Sequence, residues 1–156
     1  MKLSKADLIR TFTEKKFEIK TTDLCYQRIK FNDKFVTCIL SSSLTDFGYQ
    51  ISGTYSVRVE YDCDRCATTF EREVKDFLKF WCVTSIGKVI SANIEVFYMR
   101  NNNDILDISS FLSDLISLNR PIKILCIKNC KGICICCGIN LNNEICSKNK
   151  IKSYRN

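Results

Sequence analysis

Residues Cys126–Cys146 read CIKNCKGICICCGINLNNEIC and hold Cys126, Cys130, Cys134, Cys136, Cys137 and Cys146, six of the chain's 11 cysteines. A smaller knot, Cys63-Asp64-Arg65-Cys66, lies upstream. Each segment carries a Cys-x-x-Cys step, at 63/66 and at 134/137. A tight turn at that spacing points both sulfurs the same way, so each step can hold two corners of a tetrahedral metal ion. Gly132 and Gly138 flank the second pair and accept the positive φ that such turns need. Four sulfurs at about 2.3 Å around Zn2+ make a closed structural site. Cys66 and Cys134 stand about 67 residues apart, whereas a local zinc ribbon keeps its pairs roughly 15–20 apart. A shared ion therefore clamps the C-terminal segment onto a distant turn. Two ligand sets are open: Cys63 and Cys66 with Cys134 and Cys137, or Cys63 and Cys66 with Cys126 and Cys130. In the second case Cys134, Cys137 and Cys146 form a separate, partly filled site. Cys136, between two candidate ligands, is expected to point away from them. Cys25, Cys38 and Cys82 stand alone in strand-like surroundings and read as buried small hydrophobes.

Outward from these cysteines, the strongest strand signal is Gly53–Tyr61, GTYSVRVEY. Tyr55, Val57, Val59 and Tyr61 alternate with polar residues at period two. This strand runs into the first Cys-x-x-Cys. Thr69–Trp81 reads as the returning strand, with Phe70, Val74, Phe77 and Phe80 as its apolar set, which puts the first pair at the tip of a β-hairpin. Tyr26–Phe31, Lys34–Leu40, Gly48–Ile51 and Lys88–Met99 read as further strands, with Asn32-Asp33 as a hairpin turn between the first two. Residues 1–22 suit a weak helix or a loose first strand. Asn101–Asp104 is a turn. The best helix is Asp107 to about Leu118, capped by Asp107 or Ser109. Its stripe is Ile108, Phe111, Leu112, Leu115, Ile116 and Leu118, with Ser113, Asp114 and Ser117 outside. Pro121, the one proline, ends it. The expectation is an α+β fold: a curved antiparallel sheet, one main helix at about 107–118, and a cysteine-rich C-terminal metal knuckle packed on the hairpin tip. One domain is expected over 1–156, with a core at about 23–146 and a polar basic tail at 147–156.

The chain's 156 residues suffice for a hydrophobic core without help from cysteines. No apolar run approaches a membrane span, and the N-terminus lacks a signal-peptide pattern. An intracellular or organellar setting follows, where paired cysteines favour metal over disulfides. The formal charge of +7 points to an anionic partner such as nucleic acid. Each filled four-thiolate zinc site lowers that charge by about two. With no histidine, histidine-based catalysis and ligation are excluded. No phosphate-binding loop is present, and neither a membrane nor a small-molecule substrate is expected. A catalytic Cys-x-x-Cys needs its first thiol at a helix N-terminus, and Cys63 follows a strand instead. The chain reads as a non-enzyme. The RNA-contact candidates are Arg65, Lys128, Lys131, Lys150 and Lys152, with Arg72, Lys75, Lys79, Lys148 and Arg155 as further cations and Tyr154 as a stacking residue.

Two segments together resemble the YceD family, the large ribosomal RNA subunit accumulation proteins. They are the glycine-led strand ending in Cys63-Asp64-Arg65-Cys66, and the run of Pro121, Leu125-Cys126, Cys130, Gly132, Cys134, Cys137-Gly138, Asn140-Leu141-Asn142 and Cys146. The likeness covers roughly residues 48–75 and 104–146. One departure is that Ser147 and Lys148 follow Cys146, where members with this cluster often end in C-x-C. A second four-cysteine set is then complete only if Cys126 or Cys130 fills the gap. The resemblance implies a non-enzymatic factor for accumulation of 23S-type ribosomal RNA and for ribosome assembly, acting on ribosomal RNA or a pre-ribosomal particle. Protein assembly factors are possible partners. The many Ile, Asn and Lys residues hint at an AT-rich coding genome, which with the lack of a transit peptide favours a plastid-encoded or bacterial chain, in the plastid stroma or a bacterial cytoplasm. The rival readings are a zinc-stabilised protein-binding module without RNA contact and a thiol redox protein.

Overall fold

The computed structural model describes residues 2–24, 29–83, 95–99 and 104–147. In chain order the elements are β1 (Lys2–Ser4), α1 (Lys5–Ile9), β2 (Lys15–Lys20), a 3-10 turn (Thr21–Asp23), β3 (Lys30–Phe31), β4 (Phe35–Thr45), β5 (Gly48–Asp62), β6 (Thr69–Val83), β7 (Glu95–Tyr98), β8 (Ile105–Asp107) and α2 (Ser109–Leu118). The fold is α+β. A six-stranded sheet runs β2-β4-β5-β6-β7, with β3 also on β5, and β1 pairs with β8 in a separate ribbon. β2–β4 and β4–β5 are antiparallel, whereas β7 lies parallel to β6, so the sheet is mixed and not antiparallel throughout.

The chain forms two compact units. The first comprises 1–59 and 73–120, and the second comprises 60–72 and 121–156. In the first, the period-two reading of β5 holds: Tyr55, Val57 and Val59 are buried. Their partner strand β4 buries Val36, Cys38 and Leu40 by the same alternation. Gly53 is required by close approach, since a Cβ there would stand 2.0 Å from the Ile39 carbonyl oxygen on β4. On β6 the strand parity sorts the aromatics. Val74, Leu78, Phe80 and Cys82 face inward, and Phe77, expected inside, is exposed because it has the opposite parity. Phe80, Phe97 and Phe111 meet edge-to-face with centroids 5.4–5.8 Å apart, tying β6, β7 and α2 together.

Three local readings change. Asn32 and Asp33 do link β3 to β4, but β3 pairs with β5, so among the described residues no β3–β4 hairpin is present. Asp33 explains this: its carboxylate accepts from the Arg58 amide at 2.8 Å and from Arg58 Nε at 3.0 Å on β5. The β4 edge is instead covered by β2, a stretch whose polar residues hid its alternation. Helix α2 begins at Ser109, and the Asp107 carboxylate accepts from the Ser109 amide at 3.0 Å. Its buried line is Ile108, Leu112 and Ile116, flanked by a buried Ser113, while Leu118 is 82% exposed. Ser113 tolerates burial because its hydroxyl donates to the Ser109 carbonyl. The strand expected at 26–31 is described only from residue 29, and the one at 88–99 only from residue 95; the rest of both lies outside the described residues, as does Cys25. Among the described residues, no helix is long and apolar enough to cross a membrane.

Candidate metal centre

The second unit is built on two copies of one turn. In Cys63–Thr68 the Cys63 amide donates to the Thr68 carbonyl, and the Ala67 amide donates to the Cys63 carbonyl. In Cys134–Ile139 the Cys134 amide donates to the Ile139 carbonyl, and the Gly138 amide donates to the Cys134 carbonyl. The residue after the second cysteine takes positive φ in both, 55° at Ala67 and 76° at Gly138. Such a turn presents both of its sulfurs on one side.

What completes each turn differs. Sγ atoms of Cys63, Cys66, Cys126 and Cys130 lie within 4.8 Å of one another. Cys63 Sγ is 3.7 Å from Cys130 Sγ, and Cys66 Sγ is 3.6 Å from Cys126 Sγ. A regular tetrahedron with sulfur about 2.3 Å from its centre has edges of about 3.8 Å. A disulfide would need sulfurs about 2.05 Å apart. The spacing therefore fits four thiolates around one cation, and the cysteines are free thiols. Cys134, Cys137 and Cys146 form a second group, with Cys137 and Cys146 Sγ atoms 3.5 Å apart. Of the two ligand sets open in the sequence, the geometry brings together 63/66 with 126/130, and does not join 63/66 to 134/137. Cys136 is exposed and belongs to neither group, as expected. Cys38 and Cys82 are buried in the first unit, where burial pushes each thiol up to about 12.

Side chains that the sequence reading left without a structural role hold this arrangement, among them Arg65 and Arg72, which it offered as RNA contacts. The Asp64 amide donates to the Ile124 carbonyl at 2.8 Å, and the Asp64 carboxylate accepts from the Ile124 amide at 2.6 Å. That bracket sets Cys126 two residues from a fixed point. Arg65 and Arg72 donate to the Cys130 and Leu125 carbonyls at 2.8 and 2.9 Å. Asn142 Nδ2 lies 3.2 Å from Cys130 Sγ and donates to Asn140 Oδ1 at 2.8 Å, while its Oδ1 accepts from the Lys131 amide. Asn140 in turn donates to Thr68 Oγ1 at 3.0 Å, and the Cys66 thiol donates to the same oxygen at 3.3 Å. Only the sequence Asn140-Leu141-Asn142 hinted at this, through asparagine's habit of bonding nearby backbone in turns.

The thiols are electrostatically uneven. Burial raises Cys63, but the amides of Cys126, Arg65 and Cys66 outweigh it and hold the thiol at about 6. The Thr68 hydroxyl and amide lower Cys66. Burial, then the Cys66, Cys63 and Cys130 sulfurs, push Cys126 up to about 12. Four sulfurs this close cannot all ionise unaided, so a cation is the natural counter-charge. In the second group the Cys136 amide, then the Cys146 thiol and the Cys137 amide, bring Cys134 to about 7. The Ile139 amide pulls Cys137 down, but Cys146, burial and Cys134 outweigh it, leaving Cys137 raised.

Among the RNA candidates, Arg65 and Arg72 are engaged in the backbone contacts just given, and Lys128 and Lys131 are exposed. Lys75 and Lys79 are exposed on β6. Lys148, Lys150, Lys152, Tyr154 and Arg155 lie outside the described residues.

The model of the family described as large ribosomal RNA subunit accumulation protein YceD matches residues 51–155. A 52-residue stretch is 40% identical to a curated relative from Arabidopsis thaliana, large ribosomal RNA subunit accumulation protein YCED homolog 1, chloroplastic. That stretch is 31% of this chain and 16% of the relative, so most of the relative lies beyond the match. No solved structure matches the chain. Since the matched span takes in most of β5, both cysteine turns, and Cys126, Cys130 and Cys146, the chain belongs to the YceD family.

Proposed function

We propose that the chain is a non-enzymatic factor for accumulation of large-subunit ribosomal RNA, with Zn2+ on Cys63, Cys66, Cys126 and Cys130 as part of its fold. Family membership supports the ribosomal role. The carrying observation for the metal is the meeting of four sulfurs from two segments at tetrahedral spacing. Bound metal there supplies folding free energy to a segment with little regular secondary structure. Cys134, Cys137 and Cys146 are the ligands of a second cation. The knuckle stands at the turn between β5 and β6. Lys128 and Lys131 are exposed cations of the same unit, and they contact phosphate together with tail residues Lys150 and Lys152. The partner is ribosomal RNA or a pre-ribosomal particle, and the compartment is the plastid stroma, as the chloroplastic relative suggests, or a bacterial cytoplasm.

Crosslinking in cells tests the RNA role. Large-subunit ribosomal RNA or its precursor should be recovered, and Lys128→Glu with Lys131→Glu should reduce the recovery several-fold. Recovery of no ribosomal RNA contradicts it. A second reading, a protein-binding module, is favoured by exposed isoleucines in the second unit: Ile122, Ile127, Ile135 and Ile145. Retention by an assembly factor that is insensitive to salt, with no RNA recovered, is its signature.

A further inference from the structure

We propose that the cation on Cys134, Cys137 and Cys146 keeps one coordination position open to an exchangeable donor from outside the chain. This rests on the metal-binding reading above and goes beyond it in assigning the two sites different chemistry. Zn2+ and Co2+ prefer four ligands, and a site with three protein ligands takes its fourth from water or a partner. The four-thiol group uses Cys126 and Cys130, the only other cysteines of the C-terminal segment besides Cys136. Cys136 is exposed and outside the group. Among the described residues, no aspartate or glutamate joins the three thiols. The chain has no histidine, and residues 148–156, KNKIKSYRN, contain no cysteine, aspartate or glutamate. The familiar donor types are thus used up nearby.

Exposure points the same way. Cys134 and Cys146 are buried, while Cys137 is exposed, so the ion sits with one side toward solvent. In the four-thiol group three of the four cysteines are buried. Three thiolates leave the complex at charge −1, against −2 for four, so the ion keeps Lewis acidity for one more donor. Water takes the position in isolation, and a single nitrogen, sulfur or oxygen donor replaces it without any change in oxidation state.

Reduced wild-type protein loaded with Co2+ tests this, with imidazole as the probe donor. The chain's lack of histidine makes a new cobalt–nitrogen signal unambiguous. The wild type should bind about two equivalents, and imidazole should shift the visible absorption of one of them. Cys146→Ser should bind about one and lose the imidazole response. Two equivalents with no imidazole response in the wild type would overturn the proposal, and that reading needs no variant to fold. A single equivalent that Cys146→Ser leaves in place would overturn it too. Cys63→Ser reports on the four-thiol site separately. It should lose one equivalent and keep the imidazole response. Unchanged cobalt content in Cys63→Ser would sink the four-thiol reading and leave this one standing.

Discussion

Single residues in the second unit tie distant stretches of chain together, and Asp64 is one of them. Its carboxylate and amide both bond Ile124, across 60 residues of chain. Asp64→Ala removes a charge-assisted bond and should cost roughly 1.5–3 kcal/mol, read as a lower urea midpoint. Gly138 poses a purely conformational question. Its φ is +76°, and a Cβ there would meet nothing within 4 Å. Gly138→Ala should therefore cost only the left-handed penalty, about 1–2 kcal/mol, with metal content unchanged. In the first unit, Asp33 is held below its ordinary 3.8 by the Arg58 side chain and then its amide. A depressed folded value means that its contribution is full above 3.8 and is lost as pH falls below it. The pair is solvent-facing, so Asp33→Asn should cost about 0.5 kcal/mol at about pH 7, and that cost should shrink as pH falls below 3.8 and through the lowered folded value, by urea denaturation.

At the level of elements, β5 was readable because a half-buried strand writes its alternation directly into the sequence, and Tyr55, Val57 and Val59 obey it. Helix α2 was readable within two residues of its start for the matching reason at period 3.6. Partnership was not readable. β2 was hidden because only Ile19 is buried on it, so its pattern carries almost no apolar signal. β3 goes to β5 and not β4 because one aspartate finds an arginine 25 residues away, which no local window contains. The same limit applied to the candidate metal ligands. Spacing marked the Cys-x-x-Cys turns, and even their repeated hydrogen-bond pattern follows from local chain geometry. Which later cysteines face Cys63 and Cys66 depends on the Asp64–Ile124 bracket and on Arg65 reaching the Cys130 carbonyl, and neither has a sequence signature. Arg65→Ala should free the Cys130 carbonyl, lowering the melting temperature by roughly 2–4 °C per kcal/mol lost, while leaving the four sulfurs together.

For the whole molecule, the proposed metal and RNA roles predict different responses. The cysteine-rich unit has few regular elements, and its core is largely sulfur: Cys63, Cys66 and Cys130 with Phe70, Leu125 and Cys126 packed against them. Stripping metal with a chelator should therefore unfold residues 60–72 and 121–147 and leave the sheet's own core, with its buried Val36, Tyr55 and Phe80, protected from hydrogen exchange. Association with RNA, by contrast, should weaken steeply with added salt.

The central claim is that four sulfurs, from two distant stretches, share one ion. Metal content by mass spectrometry on Cys63→Ser, Cys126→Ser and the double variant addresses it most directly. The account predicts that each single variant loses about one zinc equivalent and that the double variant loses no more than either. Retention of full zinc by Cys126→Ser, with the Cys63-dependent ion lost instead in Cys134→Ser, would contradict it.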